Sequence, residues 1–172
     1  MSRTASTPQS RTALTTALHD TEVIRRYRAK IHPERVNGCT IWVGALTAKG
    51  HGRFWIGPDP ARPRAGFVVI AHRFAYGLKY GIDALEQAPL LAHAVCDNPM
   101  CQDPTHLQPS TIADNTADWA IRRHRLGGHL RDRRGARGRA EAIRQALRDG
   151  LDPYEVLQAG IPDVERNQLP LW

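Results

Sequence analysis

Hydrophobic positions change period several times along the chain, and each change marks an element. Val23, Ile24 and Tyr27 fall on one helical face, and Asp20-Thr21 can cap a helix over residues 21–31 that Pro33 would end. Residues 39–43 read as a strand, Ala48-Lys49-Gly50 as a turn and residues 52–56 as the returning strand of the same hairpin. The Gly-Pro-Asp-Pro-Ala-Arg-Pro stretch from Gly57 is a loop. Residues 67–70 are apolar and β-branched, so a strand, and residues 71–80 read as a helix ending at Gly81. Another short strand falls within residues 85–96. A helix runs from Asn115 to about His124, ahead of Gly127-Gly128. Ile143 and Leu147 define a helix over residues 140–149 that Gly150 breaks, and Asp152-Pro153 has the form of a cap and first helical residue. Residues 1–19 are Ser/Thr/Arg-rich and are expected to be disordered; the tail reads as extended.

Strands and helices in this order predict an α+β fold, with one medium domain over residues 20–125. A basic linker at 126–139, a helical extension at 140–166 and a tail at 167–172 complete the expected organisation. A chain of 172 residues buries an adequate but small core. Charge changes the picture. The formal net charge is +7 and the pI about 9.9, with lysine only at positions 30, 49 and 79. Arginine suits phosphate because its planar fork donates in pairs. The balance favours a polyanionic partner, nucleic acid before membrane; the bland alternative is a merely basic soluble protein. No stretch is long and apolar enough to span a bilayer and no apolar leader is visible, so the expectation is a cytoplasmic protein with reduced cysteines.

The candidate chemistry lies in His93-Ala-Val-Cys96-Asp-Asn-Pro-Met-Cys101-Gln-Asp-Pro-Thr-His106. Two thiols and an imidazole at this spacing can bend round one tetrahedral ion, with Asp97-Asn98-Pro99 and Asp103-Pro104 as turns. Cys39 is the remaining cysteine and could be the fourth ligand of a structural zinc site. The alternative is buried free thiols.

The stretch from Gly38 to about Arg125 resembles the HNH endonucleases of phages and actinobacterial genomes, and is similar to the His-Cys box homing endonucleases. The resemblance rests on Gly38-Cys39-Thr-Ile-Trp42, Gly50-His-Gly52-Arg53-Phe54, Ala71-His72-Arg73-Phe74-Ala75-Tyr76, Cys96-Asp97-Asn98-Pro99, Cys101-x-x-Pro104-x-His106-Leu107 and Asp114-Asn115-x-x-Asp118. It implies a zinc-stabilised ββα-metal (His-Me finger) core that hydrolyses DNA phosphodiesters, by a nick or a double-strand break. The general base would be His93 and the catalytic Mg²⁺ ligand Asn115; the structural zinc ligands would be Cys39, Cys96, Cys101 and His106. Such an enzyme would be bacterial or phage-encoded. Without the resemblance, Asn115 would read as a helix N-cap.

One departure bears on catalysis. The family has one residue between its base and the first cysteine, whereas Ala94 and Val95 both intervene here. A slip of one position along a strand turns a side chain to the other face unless a bulge restores it. The alternative function is therefore a catalytically impaired, zinc-stabilised DNA-binding protein. His72 reads as packing or phosphate contact, and Trp42, Trp55 and Trp119 as core. Candidate DNA contacts are Arg53, Arg73, Arg122, Arg123, Arg125, Arg131, Arg133 and Arg134, with solvated surface as the competing reading. The tail, through Gln168, Leu169, Leu171 and Trp172, resembles the short peptide by which bacterial replication and repair proteins bind the sliding clamp; the competing reading is a tail folded onto its own domain. DNA, the sliding clamp and a second copy of the chain are the partners considered, and no membrane partner is expected.

Overall fold

The structure is a computed structural model that describes residues 7–61, 64, 66–126 and 128–166. It is an α+β arrangement of three small antiparallel ladders and seven α-helices among those residues. The N-terminus supplies the first departure from expectation: residues 8–19, expected as disordered, form α1 (Pro8–His19). Thr7 caps it by accepting from the Ser10 amide, and Ala17 and Leu18 are buried. Asp20 then caps α2 (Thr21–Arg28), whose apolar face buries Val23 and Tyr27. Pro33 does not end this helix. It lies inside β1 (Ile31–Val36), in a ladder that forms one edge pair, where a missing N–H is tolerated.

The expected hairpin of residues 39–43 with 52–56 is not formed. β2 (Cys39–Trp42) pairs backwards with β1 across Asn37-Gly38, both at positive φ (48° and 76°), which is the conformation an Asn-Gly turn favours. β3 (Arg53–Gly57) pairs forwards with β4 (Phe67–Ile70). The 47–51 turn exists, closed by Thr47 and His51 backbone hydrogen bonds, but only Leu46 and Gly52 bridge across it.

α3 (Ala71–Glu86) runs past Gly81, which adopts φ 87° and breaks the helix without ending it. The chain continues through β5 (Leu90–Ala92), a short 3-10 turn at Pro104–His106, β6 (Gln108–Ser110) and α4 (Ile112–Arg122). β5 and β6 are antiparallel, with Ala92 opposite Gln108 and Leu90 opposite Ser110. The stretch expected as a basic linker holds a 3-10 turn (His129–Arg131) and the start of α5 (Gly135–Arg148), followed by α6 (Pro153–Ala159), capped by Asp152, and α7 (Asp163–Arg166).

The core is an aromatic cluster of Tyr27, Trp42, Phe54 and Phe74, with ring centroids 5.0 to 5.9 Å apart. It joins α2, β2, β3 and α3. Trp42 is fully buried and its indole N–H donates to the Ala45 carbonyl at 2.9 Å. Trp55 and Trp119, expected in the core, are instead exposed, each carrying an arginine (Arg26 and Arg123) against its ring. Gly52 permits the close approach of β3 to α3, since a Cβ there would meet the Ala71 Cβ at 2.7 Å. No helix among the described residues is long and apolar enough to cross a membrane.

Trp42→Ala should destabilise the protein by about 3–5 kcal/mol, the range for emptying a buried aromatic site. Urea denaturation measures it; a loss under about 1 kcal/mol would mean that the cluster is not the centre of the core.

Candidate metal centre and candidate active site

Residues 96–106 form a loop whose bends are set by short polar side chains. Asp97 adopts a positive φ of 49°, a conformation Asp tolerates better than most residues. The Asn98 side chain accepts from the Met100 amide at 3.1 Å while its carbonyl accepts from Cys101 at 3.0 Å. The Asp103 carboxylate accepts from the Thr105 amide and hydroxyl at 2.9 and 2.6 Å, capping the 3-10 turn that presents His106. Strand β2 docks on this loop. Ile41 bridges Cys101, Trp42 donates to Met100 at 3.0 Å, and Gln102 donates to Thr40 at 2.7 Å. Gln102 also accepts from the buried Tyr27 hydroxyl.

This docking carries Cys39 into the loop. Ligand atoms of Cys39, Cys96, Cys101 and His106 all lie within 4.8 Å of one another. His106 Nδ1 is 3.5 Å from Cys101 Sγ and 4.0 Å from Cys39 Sγ. Zinc holding sulfur at about 2.3 Å and nitrogen at about 2.0 Å in a tetrahedron separates its ligand atoms by roughly 3.3–3.8 Å, so the cluster could hold such an ion with little movement. Electrostatics agree. Hydrogen bonding from Cys101 and Cys96 pushes the Cys39 thiol down, while hydrogen bonding with Cys101 and Cys39 pushes the Cys96 thiol up. The two thiols are thus pushed in opposite directions, a conflict that a divalent cation would remove. Buried Arg139 adds a fixed positive charge that favours the Cys39 thiolate; burial lowers its own pKa to about 10, and Asp132 lies 3.7 Å away.

His93 follows β5 directly and belongs to a second cluster. Its Nε2 lies 3.3 Å from Nδ1 of His72, the second residue of α3, and its ring stacks 5.8 Å from that of His51 in the 47–51 turn. His93 Nδ1 and His51 Nδ1 are buried with no hydrogen-bond partner. Burial first, then repulsion from His51, lowers the His93 pKa to about 3; burial also lowers His51 and His72. All three are therefore neutral imidazoles near neutral pH. The Asp97 amide donates to the His93 carbonyl at 2.9 Å, closing a turn over Ala94, Val95 and Cys96.

Asn115 is the fourth residue of α4. Thr111 is the N-cap of that helix, accepting from Asp114 at 3.1 Å, so the capping role open to Asn115 belongs to another residue. Asn115 is partly buried and its carboxamide has no protein hydrogen-bond partner among the described residues. Helix α4 starts beside the β5–β6 ladder, and its far end returns to the loop after His93. There Arg122 pairs with Asp97 at 3.2 Å and reaches the Ala94 carbonyl at 3.4 Å.

The sequence gives no sign of His51 as a ligand and reads His72 as packing or phosphate contact; His51 and His72 stand in separate motifs, and the fold brings them to His93. The candidate DNA-binding arginines divide. Arg53, Arg123 and Arg125 are exposed. Arg73 is turned inward and donates to the Leu85 and Ala88 carbonyls at 3.1 and 2.9 Å. Arg131 pairs with Glu165, Arg134 with Asp132 at 2.7 Å, and Arg133 more loosely with Asp163 at 3.5 Å. The clamp-like residues Gln168, Leu169, Leu171 and Trp172 lie outside the described residues.

In sequence the chain is similar to two proteins of Escherichia phage T7. It is 31% identical over 90 residues to Protein 7.7, covering 52% of this chain and 61% of that protein. It is 33% identical over 82 residues to Protein 2.8, covering 48% of this chain and 49% of that protein. The chain thus spans between about half and three-fifths of the length of these curated relatives, and their names state no activity. No family model matches the chain, and no solved structure matches it significantly.

Elemental analysis of the purified protein should find tightly held zinc that Cys101→Ser loses. The same variant should melt well below the wild type, because ligand binding to a site absent from the unfolded chain is folding free energy. A Cys101→Ser protein with unchanged zinc and unchanged melting would rule out the Cys3His centre.

Proposed function

We propose that this protein is a divalent-metal-dependent DNA endonuclease of the HNH type, in which β5, β6 and α4 serve as the ββα unit. The observation that carries this reading is the position of His93. It stands at the end of the first strand of a two-stranded ladder, followed by the loop that supplies Cys96, Cys101 and His106 to the Cys3His cluster, the second strand and a helix bearing Asn115. That order is what the HNH resemblance implies, and the likeness to phage proteins is compatible with it.

The chemistry follows from the residues. Hydrolysis of a phosphodiester needs a group to accept a proton from the attacking water. His93 is neutral, and in the tautomer whose Nε2–H donates a hydrogen bond to His72 Nδ1 it keeps a lone pair on Nδ1, the nitrogen with no partner. An arriving anionic phosphate raises the affinity of that nitrogen for a proton, since a nearby negative charge favours the imidazolium. Asn115 offers an uncommitted carboxamide oxygen of the kind a hard cation accepts, so it would hold Mg²⁺, with phosphate oxygens and waters completing the shell. The ion would neutralise charge developing on the leaving oxygen. Arg53, Arg123 and Arg125 are available to grip the DNA backbone without reading sequence. The Cys3His centre holds zinc and is structural in this reading, since all four of its ligands come from the protein. The tail from Gln168 to Trp172 would recruit the enzyme to a sliding clamp.

Supercoiled plasmid incubated with the protein and Mg²⁺ should be nicked or linearised, and EDTA should prevent it. His93→Ala should lower cleavage at least about a hundredfold, the contribution typical of a general base, while DNA affinity in a gel-shift assay stays within about twofold. Absence of cleavage by the wild type alongside tight DNA binding would favour a zinc-stabilised DNA-binding protein instead; unaltered turnover in His93→Ala would move the base elsewhere.

A further inference from the structure

The histidine cluster contains more than a general base requires. Three imidazoles arrive from three separate elements: His51 from the 47–51 turn, His72 from the first turn of α3 and His93 from the end of β5. One ring nitrogen from each lies within 4.8 Å of those of the other two. A base needs one orienting partner, and His72 supplies it. His51 then has no role in that chemistry, yet its ring stands against both others, with centroids 5.3 and 5.8 Å away.

We propose that His51, His72 and His93 form a second metal site, separate from the Cys3His centre, for a borderline divalent transition ion such as Zn²⁺, and that an ion bound there silences cleavage by taking the lone pairs of the cluster. The metal site stands on its own geometry; the silencing rests on the nuclease reading above.

Three observations support the site. The donor set is all imidazole, which suits zinc, copper, nickel and iron and disfavours Mg²⁺ and Ca²⁺, whose ligands are oxygens. The spacing fits: nitrogens bound to one tetrahedral zinc lie about 3.3 Å apart, and His72 Nδ1 and His93 Nε2 are already 3.3 Å apart. The remaining contacts, up to 4.8 Å, close by small ring rotations. Two of the six ring nitrogens, His51 Nδ1 and His93 Nδ1, are buried without a partner. An unsatisfied buried nitrogen is costly, and an ion ligated by His51 Nδ1 removes that cost at His51. Three protein ligands leave a fourth position for water or a phosphate oxygen, the form of an open rather than a structural site. With an ion on His93 Nε2 the neutral ring carries its proton on Nδ1, and that nitrogen then has no lone pair to accept a proton from water.

The test uses the whole 172-residue chain. Purified wild type exposed to excess Zn²⁺ and desalted should retain two zinc ions per chain by elemental analysis. His51→Gln and His72→Gln should each retain one, with the melting transition of the Cys3His-stabilised fold still present. Co²⁺ added to protein already holding one zinc should give the absorption of a nitrogen-ligated tetrahedral site without thiolate charge transfer. One zinc in the wild type, or two in both variants, would overturn the site. In plasmid cleavage with Mg²⁺ fixed, Zn²⁺ should inhibit the wild type, and the inhibiting concentration should rise at least tenfold in His51→Gln relative to that variant's own uninhibited rate. Two zinc ions bound with cleavage unaffected would overturn the silencing. Two zinc ions bound in a protein that never cleaves DNA would leave the metal site standing and remove the nuclease reading instead.

Discussion

The docking of β2 on the 96–106 loop is the interaction on which the rest of the structure depends. Ile41 bridges Cys101, and across the same seam the Trp42 amide donates to the Met100 carbonyl and the Gln102 amide to the Thr40 carbonyl. One face of that seam is the aromatic core, reached through Trp42 and Tyr27; the other is the Cys3His cluster, reached through Cys39. A strand too short to be stable alone is therefore fixed from both sides, and the loop that follows His93 acquires a defined shape. The position of His93 is a consequence of this. Its carbonyl is tied to Asp97, next in sequence to Cys96. Movement of the cysteine loop would thus move the histidine.

The charge of the chain has a second use besides attraction of polyanions. Much of the arginine of the C-terminal half is structural. Arg137, Arg144 and Arg148 of α5 donate to the carbonyls of Thr47, Gly44 and Val43 at 2.8, 3.1 and 2.8 Å, fastening the helix to the loop between β2 and the 47–51 turn. Arg139 is buried beside the cysteines with Asp132. A buried guanidinium is tolerated only when paired, and here the thiolate site offers a further compensating charge. The residues expected as a linker thus form the outer wall of the candidate zinc centre, while the charges left for a partner are fewer than the composition suggests.

How much of this was legible in the sequence depends on the range of the interactions involved. The Cys96, Cys101 and His106 cluster was legible because its turns are local and its side chains name their chemistry; the addition of Cys39 followed from there being no other cysteine. Helices α2 and α6 were legible because Asp20 and Asp152 cap them in ways short-range rules describe. Strand pairing was not. The Ala48-Lys49-Gly50 turn suggested a hairpin, yet the stronger signal was Asn37-Gly38, and β2 follows it to pair with β1. Helix α1 was missed because Ser and Thr make up a third of it and its apolar face is short, formed by Ala13, Leu14, Ala17 and Leu18. The histidine cluster was not legible at all. His51, His72 and His93 lie about twenty residues apart in three motifs, and their meeting is a property of the folded chain alone.

The central claim is that His93 and Asn115 form one hydrolytic site. It is tested most directly by plasmid cleavage as a function of Mg²⁺ with zinc-replete wild type and Asn115→Ala. Wild type should cleave with saturable dependence on Mg²⁺, whereas Asn115→Ala, folded and still holding its Cys3His zinc, should cleave poorly at every concentration tested. An Asn115→Ala protein with the same rate and the same Mg²⁺ dependence as the wild type would contradict the account.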